Sequence, residues 1–409
     1  MNNEPTPAMT PKLRFPEFRD AAGWERQTLS FACQMQAGKF VSASEIKEQN
    51  AQGLYPCYGG NGLRGYTATF THSGKYSLIG RQGALCGNVK MGVGQFHATE
   101  HAVVVTPKSG IKGDWLFYSL DLLNLNRFAT GQAQPGLSVD VLEKLPIAIP
   151  LEPPEQQKIA DSLSSVDELI AAQARKVDAL KTHKKGLMQQ LFPREGETQP
   201  RLRFPEFEDA GEWEEKRLDE LVVIQSGATP SKANPAFWNG SVPWVSAKDM
   251  KRLFLDDAED HISAEAVDDG ARLVPPGTLL VLTRGMTLLK DVPICVLRRE
   301  MSFNQDVKGL RPKDGVYGLF LAWMLTGNKN RLLAMVDIAG HGTGKLDTDE
   351  LKALELMLPS LPEQQRIADC LTSLDNLIAA QTQNLAALKT HKQALMQQLF
   401  PAPEDQNTL

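Results

Sequence analysis

Apolar residues step along the chain at alternating intervals of four and three in two separate places. In the first they fall at Ile159, Leu163, Val166, Ile170, Val177, Leu180, Leu187 and Leu191. In the second they fall at Ile367, Leu371, Leu374, Ile378, Leu385, Leu388, Leu395 and Leu399. That spacing is the seam of a coiled coil. Each seam is broken by polar residues at matching points, Gln173 and Lys184 in the first and Gln381 and Lys392 in the second. Both stretches open at a proline and stop at Phe-Pro, so the pattern predicts long helices over 153–192 and 361–399. Glu155 suits the positive end of the first helix dipole. At 1.5 Å per residue each helix is a rod of roughly 55 Å.

The pattern ahead of each helix is different. Residues 54–70 and 75–89 read as short strands broken by glycine turns, and 101–107 as a buried strand. Helical stretches follow at 116–125 and 139–145. Further on, 278–283 and 293–297 read as strands. Trp24 and Trp213 each anchor a short helix or strand start. The fold class is therefore α+β, with two mixed α/β domains in tandem, each followed by a long helix.

The repeat is more than periodic. Pro154–Pro193 returns almost residue for residue as Pro362–Pro401, and Leu13-Arg-Phe-Pro-Glu-Phe18 returns as Leu202-Arg-Phe-Pro-Glu-Phe207. Before each helix comes a Gly-rich loop (131–136; 340–344), a leucine (Leu137; Leu346), a short helix and an apolar strand. The ends of the domains are shared and their middles are not. The domain organisation expected is a disordered leader at 1–12, a first domain at 13–152 and its helix at 153–192. A linker at 193–201, a second domain at 202–360, its helix at 361–399 and a tail at 400–409 complete it. Polar seam residues set register and orientation at some cost in stability. Matched breaks in two copies predict that the helices pair with each other, antiparallel about a pseudo-two-fold axis, with Gln173 near Gln381. Unrelated helices packed on their own domains would not explain the matched breaks.

Composition narrows the class. The 409 residues are 42% hydrophobic with a net charge of −5, suiting ordinary globular domains. No apolar run reaches the roughly 18 residues of a membrane helix, and the amino terminus lacks a signal-peptide pattern, so a cytoplasmic chain is expected. Five scattered cysteines without a CxxC pair argue against a disulfide framework and a zinc ribbon. A net negative charge does not exclude nucleic-acid binding, which needs only a local basic face.

Catalytic motifs are mostly absent. His97-Ala-Thr-Glu-His101 fits H-x-x-E-H, but that zinc pattern needs a helix, and the flanking glycines and valines predict a strand, so no metal site is expected. Gly340–Lys345 lacks the first Gly and the final Ser/Thr of a phosphate loop. Glu45-Ile-Lys47 and Glu350-Leu-Lys352 are nuclease-like fragments of a kind common by chance. The chain is expected to do no chemistry alone.

The duplicated Pro-Glu-Gln-Gln-(Lys/Arg)-Ile-Ala helix ending in Met-Gln-Gln-Leu-Phe-Pro, behind two divergent domains, resembles the specificity subunits (HsdS) of type I restriction-modification systems. Tyr55-Pro-Cys-Tyr-Gly-Gly-Asn-Gly62, Gly227-Ala-Thr-Pro-Ser231 and Ser302-Phe-Asn-Gln-Asp306 resemble recurring segments of their target-recognition domains. The resemblance implies a non-catalytic subunit in which each domain reads one half of a split, asymmetric double-stranded DNA target. It implies helices that space the halves and dock two methyltransferase (HsdM) subunits, with nuclease (HsdR) subunits joining. No cofactor would sit on this chain, and S-adenosylmethionine, ATP and Mg would belong to the partners.

Groove readout wants Arg, Lys, Asn and Gln on loops. The first domain offers Asn61, Arg64, Arg81, Gln82, Asn88 and Lys90. The second offers Lys232, Asn234, Lys248, Arg284, Lys290, Asn304 and Gln305. For any one of them a solvated loop face is the plain alternative, and Trp238 and Trp244 read as core. A rival for the whole chain is a coiled-coil scaffold whose domains bind proteins. Steep salt dependence of duplex binding would separate the two, because phosphate contacts release counterions.

Overall fold

The computed structural model describes residues 9–131, 135–338 and 342–401. The expected tail beyond Pro401 and the start of the leader lie outside them, as do parts of both Gly-rich loops. The chain divides into two compact units, one reaching to Arg175 and resuming at Thr382, the other running from Lys176 to Gln381. Each unit therefore holds one globular domain with the nearer part of one long helix and the far part of the other.

Both long helices form as the seam predicts, Pro153–Leu191 and Leu361–Leu399. Every expected seam residue is buried or half-buried, whereas Leu169 and Leu377, off the seam, are exposed. The seam spacing thus marks the covered face of each helix.

In the first unit a six-stranded sheet runs in the order 33–37, 102–107, 72–80, 89–98, 55–59, 62–67. All neighbours are antiparallel except 55–59 beside 89–98. The core under it gathers Trp24, Trp115, Leu142, Ile159, Leu163, Leu399 and Phe400. Trp24 meets Trp115 and Phe400 edge-on, at 6.1 and 5.8 Å between ring centroids. The described end of the expected leader is not loose: Met9 is buried and exchanges backbone hydrogen bonds with Trp24, because an apolar side chain there extends this aromatic core.

The second unit repeats the scheme. Its five-stranded sheet runs 222–226, 307–312, 279–282, 294–297, 254–255, so its first four strands keep the order of their counterparts in the first unit. A four-stranded sheet again holds one parallel pair, 242–245 beside 301–303. Trp213, Phe192 and Phe320 stand where Trp24, Phe400 and Trp115 stand in the first core. Trp238 and Trp244 pack edge-on in a smaller core, as expected.

Candidate nucleic-acid interface

The duplicated motifs explain themselves at the start of each helix. In the first unit the Arg14 fork donates to both Glu155 oxygens (2.7 and 2.8 Å) and to the carbonyls of Ala21 and Ala22. The Trp24 indole N–H adds a bond to Glu155 at 3.2 Å. In the second unit Arg203 donates to Glu363 (2.7 and 2.7 Å) and to the carbonyls of Ala210 and Gly211, and Trp213 adds 3.3 Å. The bidentate ion pair holds both guanidiniums above their ordinary pKa. The next residue is a strap: Gln156 accepts from the Lys112 N–H and donates to the Gly110 and Pro150 carbonyls, and Gln364 does the same with Tyr317, Gly315 and Pro359. Glu155 is thus the anchor of a clamp as well as a first-turn acid.

The domain middles share more than their sequences suggest. Thr99 N–H donates to the Tyr58 carbonyl, and Asn304 N–H to that of Val245. Arg81 N–H donates to the His101 carbonyl, and Thr283 N–H to that of Asp306. Leu137 N–H donates to the Arg81 carbonyl, and Leu346 N–H to that of Thr283. Gly38 and Gly227 each sit against the corresponding turn of their own unit. A Cβ on Gly38 would lie 2.1 Å from the Ala98 oxygen, and one on Gly227 2.2 Å from the Phe303 oxygen. One backbone cradle is therefore built twice and dressed with different side chains, so the middles that do not share sequence do share this frame. Backbone bonds set the cradle, so unlike sequences can make it.

In the first unit the expected residues converge on the turn at Gly59–Gly62. Asn61 accepts from Asn88 at 3.4 Å, and a Cβ on Gly62 would touch the Lys90 stem. A Cβ on Gly59 would touch Arg64, and one on Gly60 would meet the carbonyls of Gln82 and His101. Asn61, Arg64, Gln82 and Lys90 are exposed, and Arg81 and Asn88 are half-exposed.

The second set is brought together only in part. Arg284 lies on a short strand paired with Lys345, and its N–H shares the Asp306 carbonyl with Thr283. Gln305 bonds Thr229 of the Gly227–Ser231 loop, and Asn304 turns its side chain onto the Asp306 N–H. Lys308, which loop composition did not single out, donates to Ser226 at 2.7 Å. Burial, then the positive charges of Arg284 and Lys352, push its ammonium below the ordinary pKa. Lys232 and Lys290 are exposed elsewhere. Asn234 caps the turn at 235–238, and Lys248 is held by Glu259 and Asp260 at 3.1 and 3.0 Å, so both serve local structure.

The H-x-x-E-H segment is a strand and a turn, as its flanks predict. The Lys39 carbonyl can only accept, so His97 Nε2 carries the proton (3.0 Å) and Nδ1 accepts from Thr69 (2.9 Å). Among the described residues no His, Cys, Asp and Glu group is placed to hold a metal ion, and no helix is long and apolar enough to cross a membrane.

Comparison with known proteins bears on this geometry. The model of the family "Type I restriction modification DNA specificity domain" matches residues 22–182 and 210–390. The chain is 49% identical over 132 residues to the type I restriction enzyme EcoprrI specificity subunit of Escherichia coli, covering 32% of this chain and 33% of that protein. It is 30% identical over 275 residues to the EcoR124I/EcoR124II specificity subunit of the same species, covering 66% of this chain and 65% of that one. The matches thus span a third of the first relative and just under two thirds of the second. The crystal structure of the type I restriction-modification system S subunit from M. genitalium matches at a TM-score of 0.65 and 16% identity, a likeness of fold covering 96% of this chain and 99% of that one. With the family model lying over both globular domains and most of both long helices, the chain belongs to the type I restriction-modification DNA specificity family.

Proposed function

We propose that the chain is the DNA-specificity subunit of a type I restriction-modification complex, each globular domain reading one half of a bipartite, asymmetric target. The observation that carries this is the backbone cradle built twice with unlike side chains. Two readers of one design and different surface suit two different half-sequences, whereas a homodimer imposes a palindrome. The long helices pair antiparallel about a pseudo-two-fold axis, set the gap between the half-targets and dock two methyltransferase subunits, to which nuclease subunits add.

Pairing is supported within each unit. Lys392 bridges Asp167 at 2.7 Å and lies over the Tyr118 ring, whose hydroxyl donates to Asp167. Their repeat counterparts Lys184 and Asp375 also pair, with Lys184 over Trp323. The seam lysines are therefore spent on specific partners across the helix pair, which fixes register. Catalysis, S-adenosylmethionine, ATP and Mg belong to the partner subunits, and this chain supplies the address. A footprint of the assembled complex tests the reading: two protected half-sites of unrelated sequence support it, and one continuous or palindromic site overturns it.

A further inference from the structure

The turn Thr99–His101 of the first domain is closely held. Its backbone is fixed on every side, by Thr99 N–H to Tyr58, Ala102 N–H to Thr99 and Arg81 N–H to His101. Gly60 approaches closely enough that a Cβ would sit 3.3 Å from the His101 oxygen. The side chains on this rigid frame are not satisfied. Glu100 Oε1 pairs with His101 Nε2 at 3.2 Å, but the buried atoms Glu100 Oε2, His101 Nδ1 and Arg81 Nε have no partner among the described residues. Glu100 and His101 are each about a third exposed, 32% and 38% of their side chains. Unmet hydrogen-bonding capacity on a held backbone is what a site looks like before its ligand arrives.

The same place in the second domain is found through the same backbone bonds. Asn304 stands where Thr99 does and Asp306 where His101 does, so Gln305 takes the place of Glu100. The frame is constant and the residue at its tip changes from a carboxylate to an amide. That is the pattern of a position that sets which sequence is read.

Resting on the reading of the chain as a DNA-specificity subunit, we propose that Glu100, paired with His101, is a specificity-determining residue of the first domain. It accepts a hydrogen bond from an exocyclic amino group, cytosine N4 in the first instance. A carboxylate is repelled by phosphate and gains only from such a donor on a base edge. Gln305, which can donate as well as accept, makes the corresponding choice in the second domain.

The test is selection from a random duplex library with the full chain co-produced with its methyltransferase subunits, comparing wild type, Glu100→Ala and Glu100→Gln. The expected result is an amino-bearing base required at one position of one half-target. That preference falls on the order of 5- to 150-fold in Glu100→Ala and is altered at the same position in Glu100→Gln, the other half-target being unchanged. The near-isosteric Gln variant decides the matter if the Ala variant folds poorly. Wild-type selectivity kept in Glu100→Gln, or lost over both half-targets, overturns the inference. A wild type that selects no sequence overturns the DNA-specificity reading itself.

Discussion

Glu155 and Glu363 bring carboxylates into the protein interior, their side chains 1% exposed, and the arginines that meet them are 7% and 12% exposed. Removing one partner of such a pair leaves an uncompensated buried charge. Arg14→Ala and Arg203→Ala should each destabilise by about 3–5 kcal/mol, read by urea unfolding. A loss below about 1 kcal/mol would mean the clamp is ornamental. The repeated letters Pro-Glu-Gln-Gln and Leu-Arg-Phe-Pro-Glu-Phe were visible in the sequence, but their connection was not. Arg14 and Glu155 are far apart in the chain, and no periodicity joins an arginine to a distant glutamate. Glu100 and His101 were visible too, as an apparent zinc motif. That their side chains have bonds still to make is seen from the folded turn and not from the sequence.

At the scale of elements, the long helices were fully legible, because a seam of four-three steps survives in any environment and proline marks its limits. The strand at 279–282 was equally plain from its run of Leu and Val. The cradle was not. It rests on carbonyl oxygens, which every residue has, and on Gly38 and Gly227, two glycines among many. Burial also governs the cysteines. Cys33, Cys57, Cys86 and Cys295 are buried and Cys370 is half-buried. Burial pushes the Cys33 thiol up to about 12, so the folded state keeps its proton where an unfolded thiol, at roughly 8.5, loses it. Stability from this group is complete below that unfolded value and drains away as pH rises towards 12. Iodoacetamide at pH 8 should label Cys370 in the native protein and the other four only in denaturant, with mass spectrometry of peptides as the readout. Early labelling of Cys33 would contradict its burial.

For the whole molecule, the proposed role of the helices as spacer has a quantitative form. Seven residues added at matching points of both helices keep the seam in phase and lengthen each by about 10 Å. With duplex rising 3.4 Å per base pair, the preferred gap should widen by roughly three base pairs while both half-sequences stay the same. Methylome sequencing of a host carrying the lengthened chain with its methyltransferase gives the answer, and an unchanged gap would remove the spacer role. The two domains could be ordered along the chain from sequence alone. Their shared ends were legible too, but the likeness of their middles was not, because it lies in backbone geometry that unlike side chains hide.

The paired clamps carry one more consequence, for how the chain reaches this state. Arg14 with Trp24 and Arg203 with Trp213 present nearly the same surface, and Glu155 and Glu363 present nearly the same receptor. Chemistry does not tell a right partner from a wrong one; only chain connectivity and local concentration do. While the protein is being made, the first segment meets Glu155 before Glu363 exists, and synthesis order sorts the pairs. Refolding of complete chains at high concentration removes that order, and strand exchange between copies becomes the characteristic error.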